Sequence, residues 1–183
     1  MNVFSAEFIS IFLIMSCMLS VIYYDFLYYN IPNAIPLAIL FIYCFHLFIS
    51  GFSLSFYPHI VLIILLIALF TCLFYFNIIG GGDAKLFIVL TPWMMEVNIK
   101  YFFFYTSIAG LLLAILYYPK SFLPYISKVR WTIIQAFNPG FSKTTFKKLG
   151  YLPPGKNREP RVGVPYGIAI ACGVAAAFMK RGF

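Results

Sequence analysis

Gly80-Gly81-Gly82-Asp83-Ala84-Lys85 stands between two apolar runs, and how it is read decides the fold. A carboxylate and an ammonium with hydrocarbon on both sides are costly unless something uses them, so ionisable residues in such a place mark a site. Three consecutive glycines give up backbone entropy and side-chain packing, which suits a chain that must turn unusually or admit a second backbone. A plain turn between two helices accounts for the triplet equally well. The surrounding composition is that of a membrane protein: of 183 residues, 63% are hydrophobic and 10% charged, against roughly 25% charged in an ordinary soluble domain.

Working outward, Val3 to Tyr24 is a first apolar run, close to the ~20 residues that cross ~30 Å of hydrocarbon as a helix. No basic region precedes it, Glu7 stands where a signal peptide would carry Lys or Arg, and no A-x-A site follows, so it is read as a mature helix ending at Asp25. Asn30-Ile31-Pro32-Asn33 supplies turn and helix-start chemistry, Pro32 restricting Ile31 to an extended conformation. Further spans are expected from about 34 to 49, from 59 to 79, over a short piece from 86 to 95 that Pro92 interrupts, from 101 to 118, and from 164 to 179. The expectation is one all-α, polytopic membrane domain over residues 1–183. It has about six transmembrane helices, with a basic segment, 119–163, between the fifth and sixth.

Charge sets the orientation. The 119–163 segment holds nine of the thirteen lysines and arginines, which predicts that it is cytoplasmic. By alternation, both termini lie outside, the 96–100 turn lies outside, and Asp25 and Asp83 reach the cytoplasmic side. Lys100, Lys180 and Arg181 run against the rule. The 57 residues between the aspartates suffice for two crossings and their turns, so both carboxylates are expected at one face and one depth.

The basic excess is local and does not call for nucleic acid. Within it, the 131–137 stretch reads as an interfacial amphipathic helix whose neighbouring lysines favour anionic lipid head groups, and the segment serves either as a solvated, lipid-facing loop or in substrate recognition. Cys17, Cys44, Cys72 and Cys172 lie singly in apolar runs with no CxxC pair, so they are read as buried small hydrophobes. His46 and His59 fall towards the outer side, away from the aspartates, as interfacial or packing residues.

Two aspartates brought together cannot both ionise readily and form a pair that shares a proton. The ionised member activates a water, the protonated member hydrogen-bonds a carbonyl oxygen, and neither a metal nor another cofactor is required. Taken alone, Asp25 reads as an ordinary helix-terminal carboxylate at the water interface; the pairing is what raises it to a candidate. Lys85, two residues after Asp83, points to another helix face, and either snorkels to the cytoplasm or biases the pair.

These residues resemble the type IV prepilin peptidases, in particular the small form without an added cytoplasmic domain. The features in common are Asp25 followed by Ile31-Pro32-Asn33, the GxGD motif at Gly80-Gly81-Gly82-Asp83 with Ala84-Lys85, and Val164-Pro165-Tyr166-Gly167-Ile168-Ala169-Ile170 at the last span. The resemblance implies an intramembrane aspartic endopeptidase of the bacterial or archaeal cytoplasmic membrane that removes the short basic leader from pilin-like precursors of a pilus, Flp/Tad-type or related secretion system. It implies Asp25 and Asp83 as catalytic residues, Gly80 and Gly82 as the motif glycines, and Lys85, Pro32 and Asn33 as active-site support. Its partners would be pilin-like precursors and the lipid bilayer, with self-association left open. Tyr28, Tyr29 and Asn30 stand where basic residues are often found. The paired cysteines and cytoplasmic domain of the larger members are missing, so N-methyltransferase activity is not expected.

Two other readings use the same aspartates. One is a different GxGD intramembrane protease, although no Pro-Ala-Leu tripeptide occurs late in the chain. The other is a non-enzymatic carrier or membrane subunit relaying protons or binding an ion, although no inverted repeat is evident.

Overall fold

The computed structural model describes residues 3–50, 57–76, 78–117, 123–137 and 164–181. Among the described residues there are seven helices and no strand: α1 (Val3–Tyr28), α2 (Ala34–Ser50), α3 (Tyr57–Tyr75), α4 (Gly81–Val97), α5 (Ile99–Tyr117), α6 (Leu123–Phe137) and α7 (Tyr166–Arg181). Each of the six expected apolar runs becomes one helix. The additional one, α6, comes from the basic segment and is the most amphipathic of the set. Glu7–Tyr28 and Ile99–Tyr117 are long and apolar enough to cross a bilayer, while α2, α3 and α7 hold shorter apolar stretches. Phe12, Leu19, Phe41, Phe48 and Leu111 all point outward. So large an apolar surface is unfavourable against water and suits hydrocarbon.

Three helix ends differ from the sequence reading. α1 does not stop at Asp25 but runs to Tyr28, because the Asp25 side chain is buried among helices and does not need to reach water. Its end is set by Tyr29, which takes a left-handed φ of 48° and donates its N–H to the Asp25 carbonyl at 3.0 Å. A residue with a Cβ adopts that conformation at a cost of about 1–2 kcal/mol. α4 begins at Gly81 and runs for 17 residues through Pro92, so Asp83 lies in its first turn and the glycines open the helix instead of forming a loop before it. α3 stops at Tyr75, short of the expected residue 79.

α7 is the centre of the bundle. It packs on α1, α4 and α5, most extensively on α5. Ala169, Gly173 and Ala177 recur every fourth residue and share one buried face. A Cβ on Gly173 would run into Thr106 Oγ1 and lie 2.8 Å from the Phe102 carbonyl, so only glycine permits this approach. Small residues are how membrane helices come close, since lipid is as apolar as the side chains it replaces. α3 is peripheral, held to α4 by Phe70 stacked on Phe87 with ring centroids 4.5 Å apart. Contrary to expectation, Cys44, Cys72 and Cys172 are exposed and Cys17 is partly so. When the outside is hydrocarbon, a small apolar side chain has no reason to turn inward.

Candidate active site

The connection from Asn30 to Asn33 and the start of α4 build one half of the site. Gly80, extended at φ −65° and ψ 144°, precedes α4 as its cap residue, and Asp83 is the third residue of the helix. A Cβ on Gly80 would lie 3.2 Å from Asp83 Oδ2, so this glycine leaves the space into which the carboxylate folds back. Gly82 performs a different task. A Cβ there would lie 3.3 Å from Ile31 Cβ, and its absence lets α4 rest on the buried Ile31. The Pro32 carbonyl accepts the Ile35 N–H at 3.1 Å, which closes the turn into α2. Lys85 Nζ donates to Asn33 Oδ1 at 2.8 Å. The five expected support residues therefore do come together, and Lys85 is tied to the turn beside Asp83.

α1 and α7 build the other half. Asp25 is 5% exposed, one helical turn before the end of α1. Its carboxylate faces the backbone N–H groups of Gly167 and Ile168. These are the second and third residues of α7, where the first N–H groups have no intrahelical partner and the helix dipole presents positive charge. Asp25 thus does for α7, from another helix, what a local capping residue usually does. Gly167 makes this possible, since a Cβ there would lie 2.8 Å from Asp25 Oδ2. That oxygen is buried and has no hydrogen-bond partner.

The two aspartates lie close enough to repel one another. Arg130 of α6 and Tyr117 of α5 also interact electrostatically with Asp25. A like charge nearby disfavours ionising a second carboxyl, so Asp25 makes the charged form of Asp83 less favourable. Among the described residues, no three His, Cys, Asp or Glu side chains converge as metal ligands would.

His46 lies at the far end of the bundle, as expected. It is buried, with Nδ1 3.3 Å from Ser10 Oγ, Nε2 3.7 Å from Glu96 Oε2, and its ring tilted on Trp93. The His59 side chain lies outside the described residues. Sequence reasoning did not assign roles to Gly167, Tyr117, Tyr29 or Arg130. Gly167 lay within a motif already noticed, whereas nothing near Arg130 in the sequence points to α1.

An apolar helical bundle that brings two carboxylates to one end, and lodges one of them on a neighbouring helix N-terminus, has the character of a membrane protein with a polar site at that end. The chain belongs to the Type IV leader peptidase family, whose profile matches residues 12–115, a stretch that includes both aspartates and the Gly80–Lys85 motif. It is thus a leader-peptidase-like membrane protease. No curated protein and no solved structure matches it.

Proposed function

We propose that this protein is an intramembrane aspartic endopeptidase that removes the short leader from type IV prepilin-like precursors at the cytoplasmic face of the membrane. The observation that carries the reading is the meeting of Asp25 and Asp83 at one end of the bundle, inside the family-matched residues. In this reading α1 to α5 and α7 are the six crossings. α6 lies along the cytoplasmic interface, the side to which the nine lysines and arginines in the 119–163 sequence assign this segment.

The chemistry follows from the shared proton. The ionised carboxylate takes a proton from a water that attacks the scissile carbonyl carbon. The protonated one hydrogen-bonds the carbonyl oxygen as negative charge develops there. Collapse of the tetrahedral intermediate breaks the C–N bond, and a carboxyl proton passes to the leaving amine. A helical substrate has its carbonyls hydrogen-bonded along its axis, so the cut falls where the precursor's helix ends or melts.

The test is co-expression with a candidate prepilin from the same genome, followed by N-terminal sequencing of the product. Asp25→Asn and Asp83→Asn should each lower cleavage by about 10³-fold or more while the protein stays in the membrane. Cleavage that persists in both single variants overturns the reading.

A further inference from the structure

We propose that Arg130 is a positioning residue for Asp25, and that α6 is accordingly part of the active-site framework, an inference that rests on the cleavage reading above. The contact spans 103 residues of sequence: Arg130 Nη2 donates to the Leu27 carbonyl at 2.7 Å. Leu27 is in the last turn of α1, where carbonyls have no intrahelical donor and a cation complements the dipole. The same guanidinium lies over the Tyr29 ring, 3.9 Å from its centroid. Arg130 therefore holds both the last turn of α1 and the residue that terminates it.

That residue controls Asp25 directly. Tyr29 is in the left-handed region and its N–H closes on the Asp25 carbonyl. Tyr29 also hydrogen-bonds through its side chain to the buried Tyr117 at the end of α5. Held from two sides, Tyr29 fixes the backbone from which the Asp25 carboxylate projects. Leu27 and Ile134 are both almost fully buried and form a small separate core with Phe26, Tyr28, Trp131 and Ile133. This core docks α6 on α1 and sets the reach of Arg130. The groups facing Asp25 are Asp83 from α4, Tyr117 from α5, Arg130 from α6 and the Gly167 and Ile168 N–H groups from α7. Arg130 is the cation among them, and its planar fork donates to a carbonyl while stacking on a ring, which a lysine ammonium does not reproduce.

The experiment uses the full-length protein in lipid vesicles with a prepilin substrate, and compares Arg130→Gln and Arg130→Lys with the parent. A misplaced acid–base group costs turnover, up to about 10²-fold for a displacement near 1 Å. The expected result for Arg130→Gln is a kcat at least about tenfold lower with KM within about twofold. Arg130→Lys should recover part of that loss, and amide hydrogen exchange over residues 25–29 should be faster in both. An unchanged kcat overturns the proposal, and so does a raised KM at constant kcat, which would make α6 a leader-binding element. Should Arg130→Gln fail to accumulate in the membrane, Arg130→Lys decides alone, full parental kcat and exchange counting against positioning. If the parent cleaves no prepilin but exchange over 25–29 still rises in the variants, the cleavage reading fails and the positioning stands.

Discussion

Each end of the bundle buries one ionisable side chain, His46 at one and Asp25 at the other, and the two are treated in opposite ways. At the far end the groups answer one another: His46 meets Ser10 and Glu96, and Glu96 Oε1 accepts the Tyr43 hydroxyl at 3.0 Å. Trp93 Nε1, a neutral donor, lacks a partner there. At the aspartate end two carboxyl groups of like charge lie within electrostatic reach of one another, and Asp25 Oδ2 is buried with no hydrogen bond. Buried polar groups are as a rule satisfied, so an arrangement that leaves a carboxylate oxygen open disfavours folding locally and needs a use. Burial of an ionisable group alone therefore does not distinguish a site from a strut; the two ends differ in that the buried His46 meets an opposite charge and the buried Asp25 meets a like one.

Substitutions at the two ends should separate along that line. After the aspartate substitutions themselves, the largest effect is expected from Gly167→Val, whose Cβ would stand 2.8 Å from Asp25 Oδ2 and 3.0 Å from Val21 Cγ1. It should lower kcat by about 10²-fold by moving the carboxylate, read as leader cleavage per membrane-inserted molecule; activity near that of the parent would show that the α7 N-terminus does not set Asp25. Next is Gly173→Leu, midway along α7, where the added side chain meets Thr106 and the Phe102 carbonyl. Overpacking should cost about 1–3 kcal/mol, seen as a lower Tm in detergent, with kcat per folded molecule intact. The smallest effect is expected from Tyr43→Phe at the far end. Losing its bond to Glu96 should cost about 1 kcal/mol of stability and leave kcat as it was. A kcat change there would mean that the two ends are coupled through α4.

Much of the aspartate end was legible because it depends on local signals and on parity. Asp83 is marked by three glycines, and any even number of crossings between residues 25 and 83 brings the two carboxylates to the same end. The limits of α1 and α4 were misread for one shared reason. A carboxylate in an apolar run looks like a point where the chain leaves the bilayer, yet Asp25 is buried, Asp83 is half-buried, and each lies within its helix. Arg130 was not legible at all. It stands in a segment whose charge reads as a solvated face, and its partners Leu27 and Tyr29 are met only after α6 folds back on α1. The cysteines were misplaced because inward burial was assumed for small apolar residues in a protein whose surroundings are themselves apolar.

The insertion of α7 among α1, α4 and α5 bears on how small a working unit can be. Residues 12–115 contain both aspartates, yet the N–H groups facing Asp25 come from residues 167 and 168. A fragment cut after α5 would keep both aspartates and lose the N–H groups that face Asp25. On the cleavage reading proposed above, the shortest version of this protein that cuts its substrate therefore extends through the last helix.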